Sequence, residues 1–170
     1  MKQSELVTYP SFFQTYLSAL AGDYDLQDYL ETSLEQFEEL FYGFPQEKQE
    51  FRYAENKWSV KEVIQHMIDA ERVFVYRALR FSRNDQTDLP GFDENSYVEN
   101  YSVSDRTFDN LLDEFCLLRR STISMYQNFK KPELIRFGHV DGNAISVAAL
   151  GFICSGHVVH HLKVIRERYL

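Results

Sequence analysis

Apolar residues recur at spacings of three and four along four long stretches of the chain, the period of a helix with one buried face. The first covers about 25–42, where Leu26, Leu30, Leu34, Phe37 and Phe41 fall on one side and Gly43-Phe44-Pro45 stops the run. The second opens at Ser59 and is predicted to reach about Phe81. Ser59 and Glu62 stand in S-x-x-E order, a capping box in which each side chain satisfies an amide at the helix start. The third runs from near Ser104 to about Phe129, with Phe108, Leu111, Leu112, Phe115, Leu118, Ile123 and Met125 as its apolar positions. Lys130-Lys131-Pro132 ends it, with cations suited to a helix C-terminus. The fourth begins near Ser146 and continues almost to the last residue. Its first half is apolar nearly all round, which predicts the deepest position in the core. A shorter helical stretch over about 11–20 precedes them, opened by Pro10-Ser11 and broken at Gly22-Asp23.

The connections are uneven. Residues 46–57 are charged and irregular, and 132–144, with Gly138 and Asp141-Gly142-Asn143, reads as an irregular link. Ser82 to Val103 lacks helical periodicity and holds Asn84-Asp85 and Pro90-Gly91. Unstructured connections of about 20 residues are uncommon inside domains and are often functional or required by topology. Four long helices around one core predict an all-α four-helix bundle, with residues 1–170 as a single domain. Only 7 Gly and 4 Pro agree with long helices over many turns.

Charge and cysteine usage narrow the partners. A net charge of −8 disfavours nucleic acid, whose phosphates call for clustered Lys and Arg. Cys116 and Cys154 form no C-x-x-C motif, which suits a reducing compartment. The longest apolar run, Val147–Cys154, falls far short of the roughly 20 residues of a membrane span. Ala19-x-Ala21 has the form of a signal cleavage site, but Glu5, Gln14, Thr15 and Ser18 leave no apolar run before it. The expectation is a cytoplasmic protein that does not engage a membrane.

Three of the five histidines lie in His157-Val158-Val159-His160-His161. His157 and His161, four residues apart, share a helix face, so both rings can converge on one ion at about 2.0–2.1 Å. At about 100° per residue that face also carries Leu150, Ile153, Cys154, Val164 and Ile165, which makes it the core side. Core-facing histidines need partners, either a metal or hydrogen bonds within the interior. His160, about 80° from His161, is a flanking ligand or a neighbour of the ligands. A third ligand must come from another helix, and His66 is the only histidine on one. It lies about 10.5 Å into the helix that starts at Ser59, and His161 lies about the same distance before a helix end near Arg168. The two histidines share one level if the second and fourth helices are antiparallel neighbours. That requires an up-down-down-up order, for which the 82–103 connection between helices two and three supplies a crossover. No Glu-x-x-His element is present, which argues against a carboxylate-bridged pair of metals. A three-histidine mononuclear site leaves open positions, the pattern of a catalytic metal.

These residues resemble the DinB-like (YfiT-like) superfamily of metal-dependent enzymes. Lys57-Trp58-Ser59-Val60-Lys61-Glu62-Val63-Ile64-Gln65-His66 is similar to the family's helix-two motif, and Gly156-His157-Val158-Val159-His160-His161-Leu162 to its H-x-x-H-H motif. The stretch from Glu71-Arg72 to Arg80, followed by Pro90-Gly91-Phe92-Asp93-Glu94-Asn95, resembles the branch with a long second loop. The resemblance implies a four-helix bundle, often a homodimer, with one divalent metal on His66, His157 and His161. It also implies a thiol S-transferase or hydrolase acting on a small molecule, with a low-molecular-weight thiol as a candidate cofactor. Imidazole donors do not choose among nickel, zinc, iron and manganese. The competing functional reading is a non-catalytic, metal-binding, stress-associated dimer; a metal-free bundle is a third.

Other residues have two readings each. Glu71, on the apolar face with Ile64, Met67, Ile68 and Val75, is a general base or an ion-pair partner of an arginine. Cys154, one turn before His157, is a fourth ligand or a small core residue. His139 is expected in an exposed loop. The Gly91–Asn95 loop can wall a pocket, and the aromatic-rich first segment is expected to pack the core or a dimer face, with a ligand-binding aromatic surface as its second reading.

Overall fold

A computed structural model describes residues 1–170. Four long helices form the bundle: α2 (Leu26–Phe41), α3 (Val60–Ser82), α5 (Phe108–Gln127) and α7 (Val147–Arg168). Three shorter helices, α1 (Gln14–Leu17), α4 (Glu94–Asn100) and α6 (Lys131–Leu134), and two strands, β1 (Phe137–Val140) and β2 (Asn143–Ser146), lie between and before them.

The long helices start and bury as their sequences require. All five apolar positions of the α2 stripe are buried. Ser59 caps α3 as half of a reciprocal box: its Oγ accepts the Glu62 amide at 3.3 Å, and Glu62 Oε2 accepts the Ser59 amide at 2.6 Å. Ser146 Oγ accepts the Ala149 amide at 3.2 Å and starts α7. The third long helix begins later than the sequence suggests. Ser104 sits in a turn, and Thr107 is the cap, its Oγ1 accepting the Asn110 amide at 3.2 Å.

Helix order follows from the contacts. Phe41 meets Phe108 and Phe37 stacks on Phe115, so α2 and α5 are antiparallel. Gln65 pairs with Arg106, and Arg72 with Glu114; positions rise together, so α3 and α5 are parallel. The start of α3 meets the end of α7, where the Tyr169 hydroxyl donates to the Trp58 carbonyl at 2.7 Å. These two are antiparallel, and the order is up-down-down-up. Each long helix has two neighbours, and the pairs α2/α3 and α5/α7 lie across the bundle from each other.

Two connections depart from the sequence reading. The 132–144 link is not irregular: it holds α6 and an antiparallel hairpin, β1 with β2, in register Phe137↔Ser146 to Val140↔Asn143. Its turn is Asp141-Gly142 with φ of 47° and 74°, the two left-handed positions that a twisted two-residue hairpin demands. The 82–103 connection contains α4, whose first amides, those of Asn95 and Ser96, donate to Asp93 Oδ1. Leu89 exchanges backbone hydrogen bonds with His139 and Asp141, and the Gly91 amide donates to Asp141 Oδ2 at 2.9 Å. The crossover thus docks on the hairpin. At the other side, α1 lies so close to α7 that a Cβ on Gly156 would sit 2.2 Å from the Tyr16 carbonyl oxygen.

The core has two apolar clusters, one toward the hairpin and one toward the opposite end. Between them runs a polar layer. Arg119 of α5, fully buried, donates from Nε and Nη2 to Glu71 of α3 at 2.7–3.1 Å and from Nη2 to the Cys154 carbonyl of α7 at 3.0 Å. Its Nη1 reaches Ser33 Oγ of α2, and Thr122 Oγ1 donates to Glu71 Oε1 at 2.7 Å. All four long helices meet in this layer. Helix α7 is long and apolar enough to cross a membrane by length and composition alone, and the bundle buries most of it.

Candidate metal centre

His66 lies on the second turn of α3, and His157 and His161 face it from α7. His66 Nε2 is 2.9 Å from His157 Nε2, which is 3.1 Å from His161 Nε2. All three donor atoms lie within 4.8 Å of one another. His66 and His157 are buried, and His161 is half-buried. The second and fourth long helices bring the histidines to one level, as their distances from the helix ends require.

Burial governs the protonation of all three. It pulls His66 down from its ordinary value to about 4. His157 is held well below the ordinary value by burial and then by His161 and His66. Burial and then His66 and His160 do the same for His161. The imidazoles are therefore neutral at pH 7, each with one lone-pair nitrogen. Three neutral rings that turn the same nitrogen to one point cannot all be satisfied by each other: His157 Nε2 faces two like atoms and carries at most one proton. A cation satisfies all three. Donor separations of 2.9 and 3.1 Å suit an ion about 2.0–2.1 Å from each nitrogen. The donor set fits a divalent metal.

Aromatic rings wrap the cluster. Tyr16 of α1 and Phe74 of α3 pack edge-on to His157, and the Trp58 ring lies 4.8 Å from His66. A cavity of about 390 Å³ opens beside His66 and His157, walled by Phe13, Tyr16, Phe74, Phe92, Arg77 and the hairpin. A second recess of about 320 Å³ reaches His161 from the side of Trp58, Tyr169 and Asn95. The histidines stand between two openings.

The other candidates separate clearly. Glu71 is not at the cavity; its carboxylate is engaged by Arg119 and Thr122, the ion-pair reading. Cys154 lies outside the donor group, and burial pushes its thiol far up. His160 is half-buried beside Tyr16 and is also outside the group. His139 sits half-buried in β1 rather than in a loop. Gly91, Phe92 and Glu94 do wall the cavity. Phe12, Phe13 and Tyr16 line the cavity, which is the second reading of the first segment, an aromatic surface for a ligand. Sequence reasoning passed over Arg77 as a cavity residue. Its signal was available, because His66, Ala70, Phe74 and Arg77 follow helical spacing along one face and all four line the cavity.

The family model described as the DinB superfamily matches residues 29–165. The chain belongs to the DinB superfamily. Among solved structures, this DinB-superfamily chain is similar to YfiT from Bacillus subtilis, with a TM-score of 0.66 at 16% identity over 96% of this chain and 90% of that one. YfiT is described as "a probable metal-dependent hydrolase with an unusual four-helix bundle topology". No curated protein matches the chain.

Proposed function

We propose that this DinB-superfamily protein is a mononuclear metal enzyme, a hydrolase or thiol S-transferase, that holds one divalent ion on His66, His157 and His161. The observation that carries the reading is the convergence of the Nε2 atoms of two buried histidines and one half-buried one, all neutral, beside a cavity of small-molecule size. When bound, the ion supplies Lewis acidity and activates a coordinated water or thiol near neutral pH. Nickel and zinc are the first ions to test, then iron and manganese; a low-molecular-weight thiol is the candidate co-substrate.

The chain's own residues have definable tasks in this scheme. The three imidazoles offer lone pairs without competing protons, because burial keeps them neutral. Tyr16, Phe74 and Phe92 exclude water from the substrate side of the histidines. The alternative is a purely structural ion with a fourth protein ligand. Cys154 and His160 lie outside the donor group, and the histidines border two openings, which favours the catalytic reading. The proposal keeps the homodimer and the cytoplasmic setting; the two free cysteines suit a reducing compartment.

Elemental mass spectrometry of protein purified without added metal or chelator tests the site. The expected result is near one divalent ion per chain in the wild type, with loss in both His66→Ala and His161→Ala at unchanged helical content by circular dichroism. Equal metal retention in both variants would sink the three-histidine site.

A further inference from the structure

Two arginines are buried in this protein, Arg77 and Arg119. Arg119 is neutralised by Glu71 at 2.7 Å. Arg77 forms no ion pair. The one hydrogen bond of its guanidinium runs from Nη2 to the Pro90 carbonyl at 2.8 Å, and its Cζ lies over the Phe92 ring, 5.8 Å from the centroid. A guanidinium has five N–H donors, so most of its capacity remains. No fully enclosed side-chain nitrogen is left without a partner, so the unpaired donors of Arg77 keep some exposure, and Arg77 lines a cavity.

The same cavity reaches His66 and His157. His66 and Arg77 are eleven residues apart on α3, three turns or about 16 Å along the axis, and therefore on one face. Between them stand Ala70 and Phe74. The cavity thus has a donor cluster at one end, an apolar middle and a cation at the other. Two carboxylates also line it. Asp141 is engaged by the Gly91 amide, and Glu94 is exposed at the mouth. Neither closes on Arg77, and burial outweighs the attraction of Asp141 in its effect on the guanidinium. A buried cation without a counter-ion is costly unless a ligand brings the charge.

We propose that Arg77 is the anion-recognition residue of this cavity and that the substrate is a small, largely apolar carboxylate. Its carboxylate would lie on the Arg77 fork, its body against Phe74 and Phe92, and its reacting end at the three histidines. A planar carboxylate matches the paired donors of a guanidinium, and the aromatic walls match an apolar body. The inference rests on the metal-enzyme reading for its reacting end, and on Arg77 alone for its anionic end.

The test separates the two. Metal-free protein is titrated with 3-phenylpropionate, the neutral 3-phenylpropionamide and phenyl phosphate, followed by heteronuclear NMR of amide and arginine Nε–H signals. The expected result is saturable binding of the carboxylate, with shifts at Arg77 and Phe92 and at least tenfold weaker binding of the amide. Arg77→Gln should abolish that preference, and Arg77→Lys should restore part of it. Metal content, measured in parallel, should be the same in Arg77→Gln as in wild type. Equal binding of carboxylate and amide, tighter binding of phenyl phosphate, an unaltered preference in Arg77→Gln, or no saturable carboxylate binding would each overturn the proposal. A wild type that takes up no metal would overturn the metal reading while leaving the titration valid.

Discussion

Replacing Arg119 by Met removes the centre of the polar layer and leaves Glu71, itself only 2% exposed, with Thr122 as its remaining partner. Breaking one side of a buried ion pair costs about 3–5 kcal/mol, because the surviving charge loses its compensation. That is a large share of the total stability, about 5–15 kcal/mol for a domain. At about 2–4 °C per kcal/mol for this chain length, Tm should fall by about 6–20 °C. The double variant Arg119→Met with Glu71→Leu should behave differently. It removes both charges, and the remaining hydroxyls keep partners: Thr122 donates to the Leu118 carbonyl at 3.1 Å, and Ser33 to the Leu30 carbonyl at 3.1 Å. An apolar replacement of a whole buried pair is often neutral or stabilising. We therefore expect the double variant to recover to within about 1–2 kcal/mol of wild type. Urea denaturation at pH 7, followed by circular dichroism with Cm and m fitted separately, measures both. A single variant that costs less than about 1 kcal/mol, or a double variant as unstable as the single, would refute the uncompensated-charge argument.

Native cysteine reactivity should be very low at pH 8. Burial, with Glu38 adding to it, pushes the Cys116 thiol up to about 11, and burial pushes Cys154 higher still. Mass spectrometry after iodoacetamide should show slow modification of Cys116 and none of Cys154 until the protein is denatured; rapid native labelling of Cys154 would contradict its burial. Gly156→Ala should destabilise by about 1–3 kcal/mol, although alanine is the better helix former, because the new methyl meets the Tyr16 carbonyl; a raised Tm would refute the close approach. Glu62 should contribute to acid sensitivity. Burial raises its carboxyl, and Arg52 and the Ser59 amide lower it by more, so its value when folded lies below the ordinary one. Its contribution is present above about pH 5 and is lost as pH falls through the depressed value. The stability difference between wild type and Glu62→Gln, about 1 kcal/mol at pH 7, should shrink as pH falls below about 5.

The long helices were legible because their signals are strong and local. The α2 stripe, the Ser59-Glu62 box and the Ser146 cap are repeated spacings or short-range hydrogen bonds that tertiary packing reinforces. The histidine cluster was legible because a pair four residues apart on an apolar face requires a partner at the same depth, and only His66 could supply it. What escaped was short and held by docking. Helix α4 has seven residues and no buried one, so no apolar stripe announces it. The hairpin strands have four residues each, too few for alternation to register, although Asp141-Gly142 is itself a strong turn signal. The start of α5 moved from near Ser104 to Thr107 because Ser104 sits in a turn and the helix entry depends on how the crossover reaches α5. Arg77 needed a wall built by residues 90–94 and the hairpin before its position acquired a meaning.

The order of the helices also shapes how the molecule comes together. The antiparallel neighbours are α2 with α5 and α3 with α7, and neither pair is consecutive among the long helices. Those that do follow one another are either diagonal, as α2 and α3 are, or parallel, as α3 and α5 are. No stretch of chain can therefore close a local helical hairpin and wait for the rest. The pairing that sets His66 against His157 spans 91 residues, and closing so long a loop is entropically costly before its contacts form. The molecule should fold and unfold as one cooperative unit, without a stable half, and the histidine cluster should assemble only as that unit closes.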